Sequence, residues 1–182
     1  EKLSIGAVAL APSDPDIVWV GTGEVACARS SYSGDGVYKS IDVGKTWQHM
    51  GLSDSHHISR IIVHPANPDI VYVAAMGHLY SFNEERGVFK TADGGKTWDK
   101  VLYINEKVGV IDLVMNRTDP DTLYAAAYEK YRYPWHFEEG GPESGIYKTT
   151  DGGQNWIRLG GGLPGGKIGR IGLDIYPKNP GI

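Results

Sequence analysis

The stretch GVYKSIDVGKTWQHM, residues 36–50, has the pattern of a strand, a tight turn and a second strand. Nearly the same sequence returns as GVFKTADGGKTWDKV from Gly87 and as GIYKTTDGGQNWIRL from Gly145. The aspartates at the seventh position of the three copies are 51 and 58 residues apart. Repeats of this length are typical of solenoids, arrays and propeller blades, so the stretch is one copy of a building unit.

A second sequence motif recurs once in each repeat. It reads APSDPDIVWVGTG from Ala11, HPANPDIVYVAAMG from His64, NRTDPDTLYAAAYE from Asn116 and, incomplete, YPKNPGI from Tyr176. Alternation and β-branched content divide each complete unit into four strands, with a turn rich in Pro, Asn and Asp between the first two. Four short antiparallel strands in about 50 residues are the pattern of a β-propeller blade.

The repeats therefore predict an all-β fold in which residues 1–182 form one propeller segment. Three whole blades are expected at about 4–52, 58–103 and 109–159, and the start of a further blade at 168–182. Propellers close with roughly 4 to 8 blades. We therefore expect the segment to belong to a larger ring, completed by remaining blades of the same chain or of another chain.

Charge and composition exclude several classes of binding partner. The net charge is -4, and Lys and Arg are scattered, which argues against a nucleic-acid groove or a polybasic membrane patch. No run approaches the roughly 18 apolar residues of a membrane span, so no transmembrane segment is predicted. The single cysteine, Cys27, rules out an internal disulfide. A glycan, a peptide or a protein surface is the expected partner, and no cofactor is predicted.

The repeated turn, Ser/Thr-x-Asp-x-Gly-x-Thr-Trp, has a direct structural interpretation. Its Asp accepts backbone N–H bonds, its Gly supplies a positive φ, its Thr adds a hydroxyl bond, and its Trp offers a large apolar surface for packing between sheets. The residues predicted to have this structural role are Asp42, Gly44, Thr46, Trp47, Asp93, Gly95, Thr97, Trp98, Asp151, Gly153 and Trp156.

The turn region could also be interpreted as a calcium site or as a source of catalytic lysines. Calcium needs six to eight oxygen ligands, and one Asp per turn is too few, so no metal is predicted there. Lys39, Lys90 and Lys148 share one register in the three units, which favours a common role in blade packing or surface pairing over three catalytic lysines.

The turn motif resembles the Asp-box, or BNR repeat, of sialidases, two-propeller xyloglucan-degrading glycosidases and sortilin-type receptor domains. The phrases WVGTGE and YVAAMGHLY also resemble large bacterial secreted proteins often called glycosyl hydrolases from their repeats. The resemblance implies that the box joins the third and fourth strands on the face opposite the ligand, and that the protein is extracellular or periplasmic. Two positions depart from the motif: Val43 replaces the first turn Gly, and Asn155 stands where the other copies have Thr.

If the box and the Pro/Asn/Asp turns share one end of the blades, the remaining loops share the other end. Among these loops, 128–145 is the longest repeat-to-repeat insertion and interleaves aromatic with charged residues. Such residues suit stacking on sugar rings or anchoring a protein. Alternatively, the loop folds over its own blade, with Tyr128 and Phe137 covering apolar surface. The predicted ligand contacts are Arg132, Trp135, Tyr133, Arg86, His78, Arg60 and Arg170.

The sequence indicates catalytic residues less clearly than ligand contacts. Glycoside hydrolysis normally uses two carboxyl groups, and the weak candidates are Glu24, Asp112 and Glu129. Four loop histidines, His56, His57, His78 and His136, lack a metal-ligand spacing, so no metal site is predicted. The favoured hypothesis is a ligand-binding propeller for a glycan or protein. The alternatives are a fragment of a glycoside hydrolase resembling the two-propeller xyloglucanases, and a sortilin-like binding or assembly scaffold.

Overall fold

A computed structural model describes residues 4–25 and 31–176. Cys27 and the final YPKNPGI repeat from Pro177 onward lie outside these residues. The strands are β1 Ile5–Ala11, β2 Asp14–Thr22, β3 Val37–Ser40, β4 Gln48–His49, β5 Ile58–Val63, β6 Val71–Ala75, β7 Gly87–Thr91, β8 Asp99–Leu102, β9 Val108–Met115, β10 Leu123–Tyr133, β11 His136–Glu139, β12 Gly145–Thr149 and β13 Ile157–Arg158. One 3-10 turn, Ser53–Ser55, follows the first sheet.

The strands form three antiparallel sheets, one for each predicted unit. The sheets have the orders β1-β2-β3-β4, β5-β6-β7-β8 and β9-β10-β12-β13, and β11 pairs with the far end of β10 as a fifth strand of the third sheet. This meander of short strands confirms the prediction of an all-β propeller segment with three blades. No helix of the described residues is long and apolar enough to cross a membrane.

The core lies between neighbouring blades. Trp19 of the first blade is fully buried and packs beside Ile58, Val71 and Phe89 of the second. At the next junction, Tyr72 and Val88 pack beside Leu113 and other residues of the third blade. Each blade thus buries a face on its neighbour, which is how repeat proteins build a continuous core.

The Asp-box turns are held by the hydrogen bonds that the motif predicts. Asp93 Oδ1 accepts from the Thr97 amide at 3.0 Å, Asp93 Oδ2 accepts from Thr97 Oγ1 at 2.7 Å, and Gly95 has a φ of 96°. In the third box Asn155 Nδ2 donates to Asp151 Oδ2 at 2.8 Å and replaces the threonine hydroxyl. Val43 adopts a left-handed φ of 61°, and Gly94 and Gly152 also have left-handed φ values at the same position of the other boxes, so this departure places a β-branched residue in a conformation that glycine reaches without strain.

These bonds stabilise the ionised aspartates. Hydrogen bonds from the Thr46 side chain and amide lower the pKa of Asp42 to about 2, and bonds from the Asn155 amide and side chain lower the pKa of Asp151 to about 2. Hydrogen bonds from the Thr97 hydroxyl and amide lower the pKa of Asp93 as well. The three aspartates therefore act as hydrogen-bond acceptors within their turns.

Each Asp-box turn is bonded to the first turn of its own blade. The amides of Val43, Gly94 and Gly152 donate to the carbonyls of Asp16, Asp69 and Asp121 at 3.0–3.1 Å. The two kinds of turn therefore share one end of the blades, which we call the box end. The loops that join the second to the third strand, and one blade to the next, lie at the other end, which we call the loop end.

The repeated lysines join successive blades. Lys39 Nζ donates to the carbonyl of Gly94 in the second box at 3.3 Å, and Lys90 Nζ donates to that of Gly152 in the third box at 2.9 Å. Trp98 Nε1 adds a bond to the Met50 carbonyl of the first blade at 2.7 Å. The prediction that these lysines have a common role in blade packing is confirmed for both internal junctions.

Two segments differ from the expectations. The predicted first strand of a further blade is not a strand over its described residues 170–176, where no described second strand lies beside it to complete a ladder. Much of the predicted loop 128–145 is instead a β-hairpin, because β10 continues through Tyr133 and pairs with β11. The alternation of Lys130, Tyr131, Arg132 and Tyr133 has the period of a strand.

Candidate functional site

The candidate site lies at the loop end of the second and third blades. The β10–β11 hairpin reaches across to the loop between β6 and β7, where the Arg132 amide donates to the Leu79 carbonyl at 2.8 Å. Phe82 of that loop packs edge-on against Tyr131 with ring centroids 5.3 Å apart. The hairpin and the β6–β7 loop, which carries the predicted contacts His78 and Arg86, therefore form one continuous surface.

Four aromatic rings occupy this surface, and we call Phe82, Tyr131, Tyr133 and Trp135 the aromatic cluster. Tyr133 and Trp135 stack with centroids 5.6 Å apart and planes within 9° of parallel. Trp135 is 82% exposed, which leaves a large flat apolar face in contact with solvent. An exposed aromatic of this size is a candidate contact for a ligand.

Arg132, the remaining predicted contact of the hairpin, lies on its opposite face. Arg132 stacks over the ring of Phe137 at 4.5 Å, its directly opposed neighbour on β11. Tyr128 is buried, and the Lys130 ammonium lies over the rings of Tyr128 and Phe137 at 5.5 and 5.0 Å. Tyr128 thus covers apolar surface of the blade, as the alternative interpretation has it, whereas Phe137 is half-buried and contacts Lys130 and Arg132. The aromatic cluster lies on the other face of the hairpin.

Asp54, His56 and His78 meet beside the aromatic cluster, and we call them the histidine cluster. Asp54 Oδ1 lies 3.0 Å from His78 Nε2 and 3.7 Å from His56 Nε2. The two imidazole rings stack with centroids 3.6 Å apart. The metal-ligating atoms of these three residues all lie within 4.8 Å of one another. This grouping was missed by the sequence reasoning, which treated the loop histidines as scattered.

Arg86 supports the histidine cluster from beneath. Its side chain is fully buried, and it donates to Asn83 Oδ1 at 3.1 Å, to the Ser81 carbonyl at 2.9 Å and to the His78 carbonyl. It also bonds the Lys107 carbonyl at 3.3 Å. This buried position differs from the ligand contact predicted for Arg86, because its guanidinium shapes the loop and does not face solvent.

His57 lies next to the histidine cluster and is nearly fully buried. Burial, together with the neighbouring His56, lowers the pKa of His57 to about 4, so its imidazole is neutral at neutral pH. Its Nδ1 has no hydrogen-bond partner among the described residues. A cavity of about 150 Å³ opens here, lined by Ser31, Ser33, His56, His57, His78, Leu79, Tyr80 and Ser81.

Two further predicted residues meet on the innermost strands. Arg60 of β5 donates from Nε and Nη2 to Asp112 Oδ1 of β9 at 2.8 and 2.7 Å. The Leu173 amide donates to Asp112 Oδ2 at 3.0 Å. A groove of about 760 Å³ runs along these strands and includes Arg60 in its lining. Arg170 is exposed and lies outside this ion pair.

The remaining predicted carboxylates have separate surroundings. Glu24 Oε2 accepts from the Tyr32 amide at 3.4 Å. Glu129 lies on β10, its amide donates to Ser144 Oγ, and its Oε2 is buried without a hydrogen-bond partner among the described residues. Their role as acid or base stays a prediction, as does that of Asp112.

Blades whose third and fourth strands are joined by Asp-box turns define an Asp-box β-propeller, with the structural turns at the box end and a candidate ligand surface at the loop end. The family model described as "Sortilin, neurotensin receptor 3" matches residues 35–163. The chain therefore belongs to the sortilin–Vps10 family.

Individual relatives add a second resemblance. The chain is 23% identical over 171 residues to a probable oligoxyloglucan-reducing end-specific xyloglucanase of Neosartorya fischeri, covering 87% of this chain and 18% of the relative. It is also 23% identical over 189 residues to a xyloglucanase of a Paenibacillus species, covering 88% and 16%. The structure of an ancestral GH74 enzyme superposes with a TM-score of 0.65 at 20% identity, over 90% of this chain and 21% of that one. The chain thus spans under a fifth of the curated relatives it matches, and the structural likeness supports the propeller fold.

Proposed function

We propose that this propeller segment binds a glycan along its loop end, as part of a larger protein resembling the xyloglucanases. The observation that carries the proposal is the aromatic cluster, in which Trp135 is 82% exposed and stacked on Tyr133. Sugar rings present C–H faces that pack on such flat aromatic surfaces, while their hydroxyls bond to polar groups at the rim.

The polar groups near the cluster suit this ligand class. Ser31, Ser33 and Ser81 line the adjoining cavity and offer hydroxyls that both donate and accept. His78 also lines this cavity, and its Nδ1 lies 2.8 Å from Ser81 Oγ. A neutral glycan requires this mixture of flat apolar surface and small hydroxyl groups. A protein partner of sortilin-like type is the competing outcome.

Binding of oligosaccharides to the intact protein tests the proposal. We expect Trp135→Ala to weaken binding of a xyloglucan oligosaccharide about 10-fold or more in isothermal titration calorimetry, since a stacked aromatic contact is worth roughly 1–3 kcal/mol. Ile157→Ala, at an exposed apolar residue of the third blade's last strand, is the control and leaves binding unchanged. Equal affinity of Trp135→Ala and the unaltered protein would remove the aromatic cluster from the site.

Hydrolysis by the whole protein is a second proposal, favoured by the similarity to xyloglucanases. A glycosidase normally places two carboxyl groups across the bond, and Glu24, Asp112 and Glu129 remain the candidates. Release of reducing ends from xyloglucan, abolished by Asp112→Asn or by Glu129→Gln, supports this role. Binding without any release of reducing ends leaves glycan recognition as the function. The extracellular or periplasmic location expected from the Asp-box resemblance belongs to the same proposal.

We also infer that a further Asp-box blade covers the outer face of the third blade. Tyr72 and Lys90 of the second blade both bond the Gly152 carbonyl of the third box, at 3.0 and 2.9 Å. Tyr124 and Lys148 repeat this pair on the third blade, with the ammonium 5.3 Å above the ring against 5.2 Å for Lys90 over Tyr72. The same acceptor, a box glycine carbonyl of the next blade, suits both pairs.

Lysine substitutions test this coverage. Lys90→Met removes a charged hydrogen bond and is expected to lower the free energy of unfolding by about 1.5–3 kcal/mol. If a further blade is docked, Lys148→Met in the intact protein should lower the free energy of unfolding by a similar amount. A decrease below about 0.5 kcal/mol would contradict the inference. Molar mass by light scattering distinguishes a blade of the same chain from one of a second copy.

A further inference from the structure

We propose that Asp54, His56 and His78 form a binding site for a divalent transition-metal ion, for which Zn²⁺ is the best chemical match. The site lies at the loop end, where the 3-10 turn after the first blade meets the loop between β6 and β7. The inference stands apart from glycan binding, since it rests on the histidine cluster and not on the aromatic cluster.

The distances fit a tetrahedral ion. Zinc binds His nitrogen and Asp oxygen at about 2.0–2.2 Å, which places neighbouring ligand atoms roughly 3.3 Å apart. Asp54 Oδ1 lies 3.0 Å from His78 Nε2 and 3.7 Å from His56 Nε2, on either side of that value. All three ligating atoms lie within 4.8 Å of one another. The two imidazole rings are stacked 3.6 Å apart, so metal binding would require them to turn away from each other until both Nε2 lone pairs point at the ion.

The ligand chemistry also fits. Two imidazoles and one carboxylate are a set that zinc prefers in sites with an open position, whereas calcium and magnesium require mainly oxygen ligands. His78 Nδ1 is 2.8 Å from Ser81 Oγ. Donation from Nδ1–H to this hydroxyl leaves the lone pair of Nε2 directed at the ion, and such outer bonds are typical of metal-ligating histidines.

The two loops that carry the ligands are tied together beneath the site. Asn83 Nδ2 donates to the Asp54 carbonyl at 3.0 Å, and Asn83 Oδ1 accepts from the His78 amide at 2.8 Å. Buried Arg86 fixes Asn83 and the His78 carbonyl in turn. Holding the ligands in place before the ion arrives lowers the entropy cost of binding. The otherwise unexplained burial of an arginine in this loop is thus accounted for.

A fourth coordination position would face the cavity that adjoins the cluster. The cavity of about 150 Å³ beside the cluster is lined by both histidines of the site and by Ser31, Ser33 and Ser81. This volume holds several waters or one hydroxyl-bearing group of a ligand. Three protein ligands with one accessible position distinguish sites that exchange ligands from closed structural sites. The ion would thus present a coordination position to the same surface that the aromatic cluster shares.

Metal binding to the chelator-treated protein tests the proposal directly. We expect the unaltered protein to bind one Zn²⁺ per chain more than His78→Ala does, measured by equilibrium dialysis with elemental analysis. Of these two proteins, only the unaltered one should give a visible Co²⁺ spectrum of tetrahedral type. Asp54→Asn, at an exposed residue, should weaken Zn²⁺ at least 10-fold without loss of folding. Ser81→Ala should weaken it roughly 10–100-fold, the usual effect of removing an outer partner.

His136→Ala is the matched control, since His136 pairs with the Glu138 carboxylate at 3.4 Å on the neighbouring hairpin but has no third metal-ligating group beside it among the described residues. It should bind Zn²⁺ as the unaltered protein does. Circular dichroism and melting temperature verify folding of every variant, and Zn²⁺ should raise the melting temperature of the unaltered protein and of the control only. Equal Zn²⁺ stoichiometry and affinity in the unaltered protein, Asp54→Asn and His78→Ala would overturn the proposal.

Discussion

Arg86→Leu is the substitution that tests most directly how the candidate site is held. The guanidinium is fully buried and donates to three backbone carbonyls, those of His78, Ser81 and Lys107, and to the side-chain oxygen of Asn83. Leucine fills part of the volume but donates no hydrogen bond. The four acceptors then lose the charged donor that replaces water for them.

The size of the loss follows from these acceptors. A buried acceptor left without a partner costs about 1–3 kcal/mol, so the three carbonyls alone give about 3–9 kcal/mol. The loop is near the surface and relaxes to admit water, which reduces the sum. Breaking a buried charged network typically costs about 3–5 kcal/mol, and this is the expected decrease in the free energy of unfolding. For a chain of this size the melting temperature falls by about 6–20 °C.

Urea titration followed by tryptophan fluorescence and circular dichroism measures the change. Arg86→Lys should recover only part of the stability, because one ammonium does not reach all of the acceptors that the planar guanidinium joins. Arg117→Leu, at an exposed arginine, is the control and should change stability by no more than about 0.5 kcal/mol. A decrease below about 1 kcal/mol for Arg86→Leu would refute the view that this network holds the loop.

Two further predictions concern the repeats. The pKa values of Asp42 and Asp151 are about 2 in the folded protein and near 3.8 in the unfolded chain, where the turn hydrogen bonds are absent. The contribution of these aspartates to the stability of the fold is therefore present above pH 3.8 and is lost as the pH falls towards 2. Asp42→Asn should flatten this acid-induced loss of stability in denaturant titrations at several pH values, and an unchanged slope would count against the assignment. Trp98→Ala, which removes the bond to the Met50 carbonyl and the edge contact with Trp19, should cost about 3–5 kcal/mol. Trp47→Ala, at the half-exposed tryptophan of the first box, should cost less than half as much in this chain, and equal losses would contradict the packing role of the junction.

Most of the fold was predictable because its chemistry is local. The Asp-box bonds join residues two to four positions apart, such as Thr91 to Asp93 and Asp93 to Thr97, so the sequence pattern alone specifies them. The shared register of Lys39 and Lys90 also indicated a common role before their acceptors were visible. Repetition makes each such inference stronger, because three copies face the same physical constraint.

The candidate site was predictable only in part, because it depends on contacts between loops of different blades. Asp54 and His78 are 24 residues apart and meet only after two blades have packed, so no short spacing marks them. The signal that was available is that their loops were both assigned to the loop end. The burial of Arg86 was not readable either, since nothing in the sequence indicates that neighbouring carbonyls turn towards its guanidinium.

The contrast between the two ends of the blades supports the proposal that the ligand binds at the loop end. At the box end, the same bonds recur in every copy, and a lysine of one blade fixes the box of the next, so a change in one turn disturbs its neighbour. At the loop end, each blade contributes different side chains. The first contributes Asp54 and His56, the second His78 and Phe82, and the third a hairpin with Trp135. Groups that differ from blade to blade but meet on one surface are what an asymmetric ligand requires. The repeated end supplies the rigid support that keeps them in place.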